Sequence, residues 1–232
     1  MQNNINTSDI NNRKIIIEIR FEANPTIFDV RGKIIEEIKA SKLFFITHWG
    51  MNDTGIKIFD NEKDDEAHNV IIVEMNRFLF VSSKIDSIDN YYSKFLKLYT
   101  IAKNNLGLIN AIRIGCRIIG TYKTKTNCFK TIFEGFKSKF PADILLKDYP
   151  SKDLKFTLEY DNGRYEIGPI KKDDQFINQH FQNTDKSFAE GIGIDNDNFI
   201  ICSGVISDNQ IKDVFIASLA VEKSLFYKLK DL

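Results

Sequence analysis

The sequence predicts an α+β fold: a mixed, mainly antiparallel sheet with helices packed on one face. Three observations carry that prediction. Segments that alternate apolar and polar residues, the period-two pattern of half-buried strands, recur along the chain. Segments with apolar stripes at helical spacing and capping residues at their ends stand between them. The strands come in runs rather than in strict alternation with helices, which favours antiparallel pairing over a doubly wound parallel sheet. No Gly-, Pro- or Ser-rich linker divides the chain, so residues 13–232 are expected to form one domain, with sub-halves at 13–125 and 126–232. Residues 1–12, polar and rich in Asn, are expected to be a disordered tail.

The first strand is expected over residues 14–22, where Ile15, Ile17, Ile19 and Phe21 alternate with Ile16, Glu18, Arg20 and Glu22. Asn24-Pro25 breaks it. Thr26 is placed to cap a helix striped by Ile27, Val30, Ile34, Ile35 and Ile38, with Asp29 near the positive end of the helix dipole. Strands are expected over 43–49 and 55–60 around a turn at Asn52-Asp53, then an acidic loop over 61–69 and one long strand over 70–83. Asp86 or Ser87 caps a helix carrying Ile88, Tyr92, Phe95, Tyr99, Ala102 and Leu106, and Gly107 stops it. The sequence over 111–122 alternates again, with Ile112, Ile114, Cys116 and Ile118 on one face. The order β-α-βββ-α resembles half of a TATA-binding-protein-like module.

Beyond it, a helix over 126–140 carries Phe129, Ile132, Phe133, Phe136 and Phe140, and Pro141 ends it. Asn162-Gly163, the preferred pair of a type I′ turn, joins strands at 155–161 and 164–169 and puts Phe156, Leu158, Tyr160, Tyr165 and Ile167 on one face. Residues 171–186 are expected as a loop and 187–203 as a strand pair turning at 195–198. Ser207 and Gln210 form the capping box of a last helix, which packs through Ile211, Val214, Phe215, Leu219, Leu225, Phe226 and Leu229.

Composition narrows the function classes. The 232 residues are 43% hydrophobic, enough for a substantial core. Lys+Arg and Asp+Glu both total 32, whereas a general polyanion binder carries a basic excess. A local basic patch remains compatible with that balance. Cys116, Cys128 and Cys202 form no CxxC pair, which speaks against a disulfide framework or zinc site and for free thiols in a reducing cytosol. The N-terminus lacks an apolar signal core and no run reaches the length of a membrane span. The expectation is a cytoplasmic protein with no membrane association and no cofactor.

The run Val70-Ile71-Ile72-Val73-Glu74-Met75-Asn76-Arg77-Phe78-Leu79-Phe80-Val81-Ser82-Ser83 is followed, after a helix, by Ile112-Arg113-Ile114-Gly115-Cys116-Arg117-Ile118. With the early Glu18-Ile19-Arg20-Phe21 and the late Ile194-Asp195-x-Asp197, these segments resemble a sporadically distributed family of uncharacterised bacterial and archaeal proteins. The resemblance covers residues 14–122 and 188–232. The family's patchy occurrence implies mobile genes, including defence or toxin–antitoxin neighbourhoods, and it implies no particular activity.

The candidate site residues are Arg20, Arg77, Arg113 and Arg117. Arg113 and Arg117 share a strand face with Gly115 between them, and Glu18 and Arg20 share the polar face of the first strand. If the strands adjoin, the guanidinium groups can converge on a phosphate or carboxylate. The competing reading, which is favoured, is a cross-strand salt-bridge ladder neutralised by Glu18 and Glu74. Asp195-Asn196-Asp197-Asn198 begins like a calcium loop, but Ile200 and Ile206 occupy the positions that need glycine and glutamate, so a turn or polar strand face is the better reading. His48, His68 and His180 enter no catalytic or metal motif, and Gly191-Ile192-Gly193 lacks the rest of a dinucleotide fingerprint. Together these readings point to a non-enzymatic interaction or regulatory protein. Its partner would be a second copy or the product of a neighbouring gene. A phosphate-ligand or nucleic-acid module using the strand arginines is the alternative.

Overall fold

A computed structural model of the chain describes residues 5–63, 66–107, 109–141, 153–181 and 190–232. Their elements are β1 (Ile10–Phe21), α1 (Ile27–Ser41), β2 (His48–Met51), β3 (Gly55–Phe59), β4 (Asn69–Glu74), β5 (Arg77–Ser82) and α2 (Ile88–Leu106), then β6 (Ala111–Tyr122), α3 (Phe129–Lys137), β7 (Phe156–Tyr160), β8 (Gly163–Ile170), α4 (Gln175–His180), β9 (Gly191–Gly204) and α5 (Asp208–Leu229). All nine strands lie in one sheet, ordered β2-β3-β4-β5-β1-β6-β9-β8-β7. Each neighbouring pair is antiparallel. The protein is therefore an α+β fold on a mainly antiparallel sheet.

The chain runs through one plan twice. A strand leads into a helix, a meander and a second helix, and the meander's last strand returns beside the first. In the first pass these are β1, α1, β2–β5 and α2. In the second they are β6, α3, β7–β9 and α5, with α4 inserted before β9. The two opening strands pair with each other at the centre, Ile17 opposite Cys116. The halves thus meet just before β6 rather than at residue 125.

One face of the sheet carries most of the core. Ile15, Ile17, Ile19 and Phe21 of β1 pack with Ile114, Cys116 and Ile118 of β6 beneath α1, α2 and the first turns of α5. Tyr122, Ile192 and Ile194 pack beneath α3 and the last turns of α5. The caps follow the sequence where they are local: Ser87 Oγ accepts from the Asn90 N–H, and Ser207 and Gln210 close their capping box. Thr26 does not cap α1. Its own N–H donates to Asn24 Oδ1, which holds the bend before the helix.

Several expectations fail where distant partners decide the structure. Residues 5–12 are no tail: Ile5 is buried among Tyr122, Ile132 and Phe226, and β1 begins at Ile10. Residues 1–4 of that expectation lie outside the described residues. The long strand over 70–83 is a hairpin of β4 and β5 turning at Met75-Asn76. The Met75 and Asn76 carbonyls accept from the Asn24 and Phe21 N–H groups, and the Met75 N–H donates to the Thr54 carbonyl. The β7–β8 hairpin turns at Asp161-Asn162, with Gly163 opposite Tyr160, so the expected face is kept but the register moves by two. Residues 175–180 of the expected loop form α4, capped by Asp174. Residues 191–204 form one strand, with 195–198 at its middle. Four of the five helices lie on one face. Packing Phe176, Ile177 and Phe181 against Ile119 and Ile170, α4 lies on the other.

Candidate functional site

Strand alternation builds the second face of the sheet. With the odd positions of β1 buried under helices, Ile16, Glu18 and Arg20 point the opposite way. Register extends that face across the molecule. Arg20 stands opposite Arg77 of β5 and Arg113 of β6, and Glu18 opposite Leu79 and Gly115. Asp197 of β9 stands opposite Arg117, and β8 adds Arg164 opposite Asp197 and Glu166 opposite Asp195. All four candidate arginines, Arg20, Arg77, Arg113 and Arg117, are thus brought onto one face. Among the described residues only α4 covers any of it.

The arginines are paired. Glu18 accepts from Arg20 Nε at 2.8 Å and Arg113 Nη1 at 3.2 Å, and lies 3.6 Å from Arg77 Nη1. Arg77 Nε donates to Glu74 at 2.6 Å. Arg113 reaches Asp197 at 3.6 Å and stacks its guanidinium 4.3 Å from the centre of the Phe199 ring. Arg117 donates to both oxygens of Asp195, at 2.8 and 2.5 Å. Four arginines therefore meet four carboxylates (Glu18, Glu74, Asp195, Asp197), and these eight groups sum to zero charge. Hydrogen bonds donated to Glu74 and to Asp195 push Arg77 and Arg117 further toward the charged form. Burial pushes the Asp197 carboxyl up, against the pull of Arg113 and Arg117.

This is the salt-bridge ladder, with a partner set wider than sequence reasoning supplied. Glu74 serves Arg77 alone, while Asp195 and Asp197, read as a turn or polar strand face, neutralise the β6 arginines. The paired groups also border a groove of about 200 Å³, in which Glu18, Arg20, Arg113, Arg117 and Asp197 surround Ile16, Leu79 and Gly115. Facing a groove and pairing with carboxylates are both true of Arg113 and Arg117.

At the β8 side, α4 closes over the sheet. Gly193 lets it approach: a Cβ there would lie 2.1 Å from Ile170 Cδ1 and 3.4 Å from the Phe176 ring. Lys14 Nζ sits 5.5 Å over the Phe181 ring, and His180 packs edge-on against Phe176. Burial draws the His180 pKa down, and Asp195, Arg117, Lys14 and Glu166 all act on it.

Among the described residues His68 and Ser83 form an imidazole–hydroxyl pair. His48 stacks on Phe59 at an exposed strand, His68 Nδ1 lies 3.0 Å from Ser83 Oγ, and His180 is on α4. Among the described residues no group of three His, Cys, Asp or Glu side chains is placed to hold a metal ion. Cys116 is buried, Cys202 half-buried and Cys128 exposed ahead of α3.

A second polar cluster lies under the helices. Arg13 donates to Glu222 of α5, and the Tyr122 hydroxyl donates to the same carboxylate. The side chains of Arg13 and Glu222 are only 8% and 1% exposed. Sequence reasoning missed this cluster, although its signal was present. Arg13 shares the parity of Ile15 and Ile17, and Glu222 falls within the apolar stripe between Leu219 and Leu225.

No protein-family model matches the chain, and no significant match is found among curated proteins. No helix of the described residues is long and apolar enough to cross a membrane.

Proposed function

We propose that the protein is a non-enzymatic interaction or regulatory protein whose working surface is the sheet face carrying the arginine–carboxylate ladder. The observation that carries this reading is the charge balance of an arginine–carboxylate ladder on a face that helices leave largely uncovered. A surface built to hold a polyanion keeps its guanidinium groups free for phosphate. Here each is engaged by a carboxylate. Interfaces between proteins favour arginine and aromatic residues. The Arg113–Phe199 stack supplies both types beside the groove, and the neighbouring Ile201, 71% exposed, adds apolar surface. Arginines already fixed by partners lose little side-chain freedom on binding.

The partner in this reading is a protein, either a second copy or the product of a neighbouring gene, as in a mobile defence or toxin–antitoxin pair. Co-expression with the neighbouring gene product tests it. Co-purification that survives in the wild type and fails in Arg113→Ala/Arg117→Ala supports the reading. A monomer that retains no partner, or a complex indifferent to both substitutions, overturns it. The phosphate or nucleic-acid alternative keeps one supporting observation: the side chains of Arg20 and Arg117 remain 49% and 40% exposed beside the groove. RNA binding by the wild type that weakens steeply with salt and is lost in the same double variant would favour it instead.

A further inference from the structure

Among the described residues β7 is an outer strand of the sheet, with β8 on one side and no strand on the other. Its two-residue turn fixes which backbone groups stay open. Tyr160 and Gly163 close the hairpin as a hydrogen-bonded pair, so Phe156, Leu158 and Tyr160 spend their N–H and C=O groups on β8. The alternate residues, Thr157 and Glu159, aim theirs outward. Native sheets guard such an edge with charge, proline, a bulge or a very short strand. At the opposite edge, β2 is four residues long and contains Gly50. Within Phe156–Tyr160 there is no Pro, no Gly and no register shift, and the one charge is Glu159. Residues 157–160 are all exposed, Leu158 at 42%.

This edge is complementary to itself. A two-fold axis through Leu158, normal to the sheet, lays an antiparallel copy of β7 alongside, and a two-fold is the commonest symmetry of protein oligomers. Thr157 then stands opposite Glu159 of the second copy, and their outward N–H and C=O groups pair. On the helix side Leu158 meets its own copy and Phe156 meets Tyr160 of the second copy, so apolar side chains cover one another. On the ladder side Glu159 is 77% exposed, 4.0 Å from Arg164, and Lys155 lies 3.9 Å from Glu166. The same register brings Lys155 of the second copy one diagonal from Glu159, within reach of a long side chain. Centring the pair on Glu159 instead would set like charges directly opposite, which disfavours that register.

We propose that β7 pairs with β7 of a second copy, centred on Leu158, and so continues the sheet across a two-fold dimer. This inference does not rest on the ladder reading, and Arg113→Ala/Arg117→Ala should dimerise like the wild type. Sedimentation equilibrium of the whole chain tests it. A reversible dimer is expected at concentrations on the order of 10–100 µM, as suits an interface at the small end of the protein–protein range. Thr157→Pro removes an outward N–H that β8 does not use, and Leu158→Glu sets two carboxylates face to face across the axis. Each should weaken the dimer at least tenfold while circular dichroism shows a folded chain. Leu158→Cys in a Cys128→Ser background should give a disulfide-linked dimer with oxidised glutathione, because facing residues of a non-hydrogen-bonded pair lie within disulfide reach. Should the variants not fold, the wild type decides: its Thr157 and Glu159 amides must exchange more slowly as protein concentration rises. A wild type that stays monomeric throughout that range, leaving the edge to a strand of another protein, overturns the proposal. So does a dimer indifferent to Thr157→Pro and Leu158→Glu in folded variants, absence of the linked dimer, or exchange at those amides that ignores concentration.

Discussion

Arg117 of β6 holds Asp195 of β9 in a forked pair, two parallel hydrogen bonds between neighbouring strands. The pair does two things at once. It lets a run of four polar residues sit in the middle of a strand, and it cancels the charge of an arginine that would otherwise recruit phosphate. The same holds for Arg113 and Asp197 at 3.6 Å.

Removing those two carboxylates should therefore create the polyanion binder that the wild type is not. Asp195→Asn/Asp197→Asn takes the ladder from zero to two net positive charges. We expect measurable RNA binding whose affinity falls with salt, on a slope reflecting about two released counterions. Stability should fall by only about 1 kcal/mol, because both pairs are partly exposed and screened. Filter binding across salt and urea unfolding check the two parts; a double variant that binds RNA no better than wild type would show that charge balance is not what excludes it.

The sequence made the face legible and its partners illegible. Alternation in β1 and β6 assigns Arg20, Arg113 and Arg117 to one side without any structure, because a strand's period is local. Which carboxylate reaches which arginine depends on strand order, and β9 lies beside β6 although about 80 residues separate them in the chain. The missed turn at Met75-Asn76 has the same cause. It has no Gly or Pro, and the groups that hold it belong to residues 21, 24 and 54. Asp195 to Asn198 looked like a turn because their neutralising partners, Arg117, Arg113 and Ser218, are remote. The buried Arg13–Glu222 pair obeys its local pattern and was overlooked because charges seldom occupy apolar stripes.

Glu222 should leave a mark on the pH dependence of stability. Burial raises its carboxyl above the ordinary 4.5, more than Arg13 and Tyr122 lower it. Between 4.5 and the raised value, the folded chain keeps a proton that the unfolded chain has lost. Stability from this group is thus full below 4.5 and declines as pH rises through the folded value. Glu222→Gln removes the titration, so the wild-type advantage over this variant should shrink as pH rises from 4.5 toward neutrality. Glu222→Ala, which leaves Arg13 as an uncompensated buried charge, should cost about 3–5 kcal/mol. Urea midpoints from pH 4 to 8 read both effects.

Two glycines on the ladder face should respond differently to a methyl group. At Gly193 a Cβ would lie 2.1 Å from Ile170 Cδ1, so α4 or Ile170 must move, at a cost of about 1–3 kcal/mol. At Gly115 the nearest atoms, Arg113 Cζ and Nη2, would be 3.6 Å away, an ordinary contact. Gly193→Ala should lower the melting temperature by several degrees, whereas Gly115→Ala should stay within about 0.5 kcal/mol of the wild type. Equal melting temperatures for the two variants would contradict the close seating of α4 against β9.

The three thiols should separate cleanly by reactivity, since the thiolate is the nucleophile. Cys128 is exposed ahead of α3, and hydrogen bonds from the Thr131 backbone and side chain draw its pKa down. Burial pushes Cys202 up and takes Cys116 to about 12, beneath α5, where the Ser218 hydroxyl donates to the Cys116 carbonyl. Iodoacetamide at pH 7 should therefore label Cys128 first and Cys202 more slowly. Cys116 should react only when the sheet opens. Peptide mass spectrometry over a time course, repeated in urea, gives the order. Early labelling of Cys116 in the folded chain would mean that α5 lifts from β6 far more readily than the shared core of Phe215 and Leu219 with Ile118 allows.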